Sequence, residues 1–125
     1  MDYLFKGIDT KSGKMVKTRL CLPWCGEDGD KYVRLVDTER HVQYKVEKDT
    51  VSTFTGFRDK EGQQIFTQDI CLYGDTNSLC VIRFDDFLCK MGVYIEGELL
   101  GELTDVLAHQ KLKVVGNIHS YMKGE

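Results

Sequence analysis

Five cysteines, three histidines and 20 acidic side chains are the groups of this 125-residue sequence that could do chemistry. Cys21 and Cys25 flank Trp24 at a spacing that could supply half of a zinc site. A structural zinc needs four ligands, from a second close pair or from histidines at matched spacing. His41, His109 and His119 lie far from one another and from both cysteines, so no metal set is read. Cys71, Cys80 and Cys89 recur among apolar neighbours and read as small core or near-core side chains. A Cys–His nucleophilic pair assembles only in the fold, and no neighbour singles one out. No catalytic residue and no cofactor are assigned, and the expected protein is not an enzyme.

Asp85, Asp86, Glu96, Glu98 and Glu102 form the acidic part of the chain. Paired carboxylates can hold a divalent ion or do acid–base work. Without a glycine-spaced calcium loop they read as a solvated face. The bases Lys14, Lys17, Arg19, Lys31, Arg34 and Arg40 have Trp24 and Tyr32 nearby, the combination with which barrel folds hold single-stranded nucleic acid. Acids interleave with them. The net charge is −3 and the pI about 5.6, whereas nucleic-acid binders carry a basic balance. Residues 1–60 hold 12 Lys/Arg against 10 Asp/Glu, and residues 61–125 hold 5 against 10. Gly26-Glu27-Asp28-Gly29 places acids where a cradled phosphate would sit.

The elements that must position these groups are mostly strands, because the apolar residues alternate. Leu4 to Ile8 and Met15 to Leu22 read as strands around the turn Asp9-Thr10-Lys11-Ser12-Gly13. A loop follows at Pro23 to Asp30, then a hairpin of Lys31 to Val36 and His41 to Val46. Glu47 to Thr50 breaks the pattern. Val51 to Phe57 is β-branched and aromatic, Asp59 to Gly62 is a turn, and extension resumes at Gln64 to Phe66 and Asp69 to Tyr73. A polar turn is read at 74–78, after which Cys80, Ile82 and Phe84 share one face. Phe87 to Ile95 and Glu98 to Leu103 fit no single period. A short helix is expected over Thr104–Gln110 with Thr104 as N-cap, and a closing strand over Leu112 to Ile118.

The run Thr53 to Ile70 resembles the signature of the YopX family of phage and prophage proteins. An aromatic–Thr–Gly–hydrophobic start (Phe54-Thr55-Gly56-Phe57) leads into Asp59-Lys60-Glu61-Gly62, then Ile65-Phe66-Thr67-Gln68-Asp69-Ile70. Leu112 to His119 is similar to the family's closing Val–Ile–Gly–Asn–Ile–aromatic motif, and Phe5 to Met15 to its opening strand–turn–Met segment. Gln68 stands where the family usually has Gly, and His119 where an aromatic ring is usual. The resemblance implies a β-rich fold with an SH3-like barrel in the second half and a phage or prophage origin. It transfers no activity. Its motif residues Thr55, Gly56, Asp59, Gly62, Ile65, Asp69, Ile70, Gly116, Asn117 and Ile118 are glycines, turn residues and apolar positions, which specify shape.

The expectation is therefore a mainly β chain of short antiparallel strands, one domain over 1–125. It comprises an N-terminal hairpin region (1–50) and an SH3-like barrel region (51–125), with at most one short helix near 104–110. Met1 to Lys6 lacks a basic start followed by an apolar stretch, and no run is long enough to span a membrane. The expected setting is the host cytoplasm. The expected partner is a protein, another copy or a second chain, in a non-enzymatic role. Single-stranded nucleic acid, through Lys14, Lys17, Arg19, Lys31 and Arg34, is the alternative.

Overall fold

A computed structural model describes residues 2–74 and 78–122, so the middle of the turn read at 74–78 lies outside the described residues. The chain is mainly β, with antiparallel pairings, and divides into two compact units, Met1–Thr53 and Phe54–Glu125.

In the first unit β1 (Phe5–Ile8) pairs with β2 (Met15–Thr18), Phe5 facing Thr18 and Ile8 facing Met15. Asp9 makes the turn between them. Its carboxylate accepts hydrogen bonds from the Ser12 hydroxyl (2.7 Å) and the amides of Ser12 (3.2 Å) and Lys11 (3.3 Å). Burial pushes the Asp9 carboxyl up, but these bonds outweigh it and hold the group below the usual carboxylate value. The strand expected over Met15 to Leu22 is two strands. Thr18 is buried and its hydroxyl donates to the Leu20 carbonyl (3.0 Å), a local bond that competes with the ladder and separates β2 from β3 (Leu20–Pro23).

β3, β4 (Tyr32–Asp37) and β5 (Val42–Glu47) form a three-stranded sheet in that order. Side chains alternate faces along each strand. One face carries Leu35 and Val46, both fully buried with Ile8. The opposite face carries Tyr32, Arg34 and Val36 across from Glu47, Lys45 and Gln43. A 3-10 turn, Lys48–Thr50, leads into β6 (Ser52–Arg58), whose first residues, Ser52 and Thr53, pair with Lys6 and Phe5. Gly7 sits where any Cβ would lie 2.6 Å from Val46 Cγ1 and 3.4 Å from Leu35 Cδ1.

In the second unit β6 pairs with β7 (Gln64–Phe66), its register shifting around Gly56, which has a positive φ of 89°. β8 (Asp69–Tyr73), β9 (Leu79–Asp85), β10 (Lys90–Ile95), β11 (Glu98–Glu102) and β12 (Leu112–Asn117) form a five-stranded sheet ordered β11-β10-β9-β8-β12, curved into one half-barrel. Ile65, Cys71, Cys80, Ile82, Val93, Leu103, Ala108 and Leu112 are its core. Helix α1 (Asp105–Lys111) is capped by Thr104, whose hydroxyl accepts from the Leu107 amide (3.1 Å).

A fully buried carboxylate organises this unit. Asp59 Oδ1 accepts from the amides of Gln63 (2.8 Å) and Glu61 (2.9 Å), and Oδ2 from the amide of Val114 on β12 (2.9 Å). The Lys60 amide donates to the Leu112 carbonyl (2.9 Å). The turn after β6 thereby closes the outer edge of β12.

Two further expectations are corrected. A second helix, α2 (Ile118–Met122), follows β12, so the closing strand ends at Asn117 and the expected limit of one helix fails. The reason is a cap: Asn117 Oδ1 accepts the His119 amide (3.1 Å), which turns the chain out of the ladder. Cys89 is exposed in the β9–β10 turn at φ 54°, where it has no core to join. The segments without a clear period form the hairpin β10–β11, closed by Glu96 (φ 51°) and Gly97 (φ 83°), the two positive φ values of a tight two-residue turn.

Two substitutions test this packing. Asp59→Ala strands three amides and should cost about 3–5 kcal/mol in urea unfolding. Gly7→Ala meets the stiff, buried Val46 and should cost about 1–3 kcal/mol; parent-like midpoints would contradict each account.

Candidate interaction groove

The turn between β7 and β8 places Thr67 and Gln68 beside the start of α2. Gln68 adopts a left-handed φ of 66°, the conformation a glycine would take there. Its amide donates to the Ile82 carbonyl (2.6 Å) and its carbonyl accepts from the Ile118 amide (2.9 Å). Below it, the buried Asp69 accepts the Phe66 amide at Oδ2 (2.7 Å) and the Asn117 side-chain amide at Oδ1 (3.0 Å). Gln68 Oε1 meets His119 Nε2 across the top. The two positions where this chain departs from the motif it resembles are thus in contact with each other.

These segments wall a cleft of about 400 Å³ lined by Thr67, Gln68, Arg83, Phe84, Ile118 and His119. Its apolar surface is Phe84 and Ile118, and its rim is polar. Phe84 is half exposed, because it shares the face of Cys80 and Ile82 but lies beyond the end of the core. The adjoining β9–β10 turn carries Phe87, 95% exposed, and Leu88, 43% exposed. Asp85 fixes that turn: its carboxylate accepts the Tyr94 hydroxyl (2.5 Å) and the Leu88 amide (2.9 Å). The Tyr94 hydroxyl first, then the amides, hold the Asp85 carboxyl below its ordinary value, and Asp85 in turn raises the Tyr94 hydroxyl.

The motif residues serve this geometry. The Thr55 hydroxyl donates to the Ile65 carbonyl (2.7 Å) and accepts the Phe57 amide (3.2 Å). Gly62 takes φ 81° in the Asp59 turn, and Ile65 and Ile70 are buried. Gly116 lies where the β8–β12 register shifts, and Asn117 binds Asp69 and caps α2.

The other candidates are dispersed. Lys31 and Arg34 come to one sheet face, Lys31 Nζ 5.5 Å from the Tyr32 ring centre and Arg34 Nε donating to the Pro23 carbonyl (2.9 Å). Lys17 and Arg19 line a separate cleft of about 360 Å³ with Tyr3, Val36 and Asp37. Lys14 closes the β1–β2 turn, its carbonyl accepting the Asp9 amide (2.9 Å). Of the acids, Asp85 fixes its turn, Glu102 pairs with Lys90 (3.4 Å), and Glu96 makes the turn after β10. Cys71 and Cys80 face each other across β8 and β9, fully buried; hydrogen bonding with Cys80 and then burial push the Cys71 thiol far up. Burial also pushes up the Cys21 thiol, while Cys25 is exposed. Among the described residues no three His, Cys, Asp or Glu side chains converge on a common point.

The sequence matches the family described as YopX protein over residues 4–121. The chain belongs to the YopX family. No curated protein matches it significantly. The matched span contains the Asp59 and Asp69 locks, both groove walls and the β9–β10 turn of this YopX chain.

The exposed hairpin was not legible as a site. Its signal was Asp85, an acid able to cap the β9–β10 turn that follows it. For the groove wall, a double-mutant cycle of Gln68→Ala and His119→Ala should give a coupling of about 0.5–2 kcal/mol in urea unfolding. Strictly additive losses would show that the two side chains do not support each other.

Proposed function

We infer that this YopX chain is a non-enzymatic protein-interaction module, a phage or prophage accessory protein acting in the host cytoplasm. Its half-barrel, read as SH3-like, is a scaffold that presents a contact surface. No described helix is long and apolar enough to cross a membrane, which agrees with that setting.

The observation that carries the reading is Phe87, 95% exposed on a turn fixed by Asp85. Covering a phenylalanine is worth about 1.5–3 kcal/mol. Aromatic anchors held in place before contact lose little entropy on binding, and they dominate interface energetics. Phe84, Leu88 and Ile118 extend the apolar area into the groove, while Arg83, Gln68 and His119 supply a polar rim. An apolar centre inside a polar rim is the anatomy of an interface.

Phe87→Asp should leave unfolding stability within about 0.5 kcal/mol of the parent, because the ring touches little in the isolated chain. Immobilised parent and variant are compared on lysate of phage-infected cells, with light scattering for self-association. The reading expects a species, or a second copy, held by the parent and lost by the variant. Identical retention by both, with both strictly monomeric, would refute it.

A further inference from the structure

A second surface, in Met1–Thr53 and sharing no residue with the groove, has its own chemistry. On the face of β3–β4–β5 opposite Leu35 and Val46, Arg34 lies directly across from Lys45, and Tyr32 and Gln43 flank that pair along the strands. Trp24, from the loop after β3, comes over the same face. The Lys45 ammonium stands 4.2 Å from the Tyr32 ring centre and 4.9 Å from that of Trp24, and the Lys31 ammonium lies 5.5 Å from the Tyr32 ring centre. Two aromatic rings and three cations thus share one open sheet face. A cleft of about 420 Å³ opens beside them, lined by Trp24, Gln43, Lys45, Lys11, Thr10 and Asp9, a size typical of small-ligand sites.

The charge here is not spent on ion pairs. Among the described residues Lys31, Arg34 and Lys45 make no salt bridge; Lys31 and Lys45 lie against rings, and Arg34 binds the Pro23 carbonyl and Gln43 Oε1. Of the nearby acids, Asp9 turns its carboxylate to Ser12 and the Lys11 amide, while Glu47 faces Tyr32 at the end of the strand pair. An acidic peptide would engage the cations but leave the two ring faces unused. A single-stranded nucleic acid uses both, with bases stacking on aromatics and phosphates meeting cations.

We propose that this face, Trp24, Tyr32, Arg34, Gln43 and Lys45, is a binding surface for single-stranded nucleic acid. A base displaces the Lys45 ammonium from between the rings and stacks on Trp24 or Tyr32. Lys45, Arg34 and Lys31 then meet the phosphates, and Gln43 offers an amide to a base edge. Lys14, Lys17 and Arg19 lie elsewhere and take no part.

The test is fluorescence anisotropy of a labelled oligothymidylate of about ten nucleotides with the full chain. Binding is expected at 50 mM salt, weakening about 20-fold by 200 mM for three phosphate contacts. Trp24→Leu and Tyr32→Leu should each weaken it about 5- to 150-fold, the range for losing one stacked base. Lys45→Gln should weaken it and lower the salt slope by about 0.7. Circular dichroism checks that each variant is folded; if an aromatic variant is not, Lys45→Gln and the salt slope decide alone. Absence of binding at 50 mM salt, aromatic variants that are folded and bind like the parent, an unchanged Lys45→Gln, or equal displacement by polyglutamate would each overturn the proposal.

Discussion

A carboxylate with no exposure to water must find hydrogen-bond donors inside the fold, or its burial costs several kcal/mol. In the second unit Asp59 meets that demand with three main-chain amides, two from its own turn and one from Val114, 55 residues further along the chain. The bond therefore fixes more than a turn. It joins the hairpin β6–β7 to the last strand of the five-stranded sheet and covers the edge that β12 would otherwise expose. Asp69 repeats the arrangement one turn later, with the Phe66 amide on one side and Asn117, 48 residues away, on the other.

The surface follows from these two locks. Because Asp69 holds Asn117, the chain leaves β12 at a fixed place, and Asn117 then caps α2. Because Gln68 bridges Ile82 and Ile118 through its own peptide groups, the β7–β8 turn stands against α2 and the groove has two walls. The β9–β10 turn, fixed separately by Asp85, carries Phe87 beside it. Of the YopX motif residues, Asp59, Ile65, Asp69, Ile70 and Asn117 are buried and shape the walls, while Ile118 joins Phe84, Phe87 and Arg83 in supplying the chemistry at the surface.

Much of this was readable from residue types. Alternation at Val42, Tyr44 and Val46 placed the hairpin of the first unit, Thr104 announced the helix it caps, Asp59 was identifiable as the start of a turn, and Asp69 as an acceptor for main-chain amides. What escaped did so for physical reasons. Asn117 has equal claim to a strand end or a helix cap, and its choice depends on Asp69, far away in sequence. Cys89 sits among apolar letters but at a turn with positive φ, a backbone property no composition reveals. The hairpin β10–β11 was obscured by a bulge between Val93 and Tyr94, which spoils the two-residue period. Arg34 was legible as basic but not as the neighbour of Lys45, since only the pairing of β4 with β5 brings the two together.

Amide hydrogen exchange reads the central lock directly, because an amide bonded to a buried carboxylate opens only when the surrounding unit opens. The account predicts that the amides of Gln63, Phe66 and Val114 exchange as slowly as those of the core strands β8 and β9, although two of the three lie in or beside turns. Exchange of these amides at the fast rate of exposed turns, with β8 and β9 still protected, would contradict it.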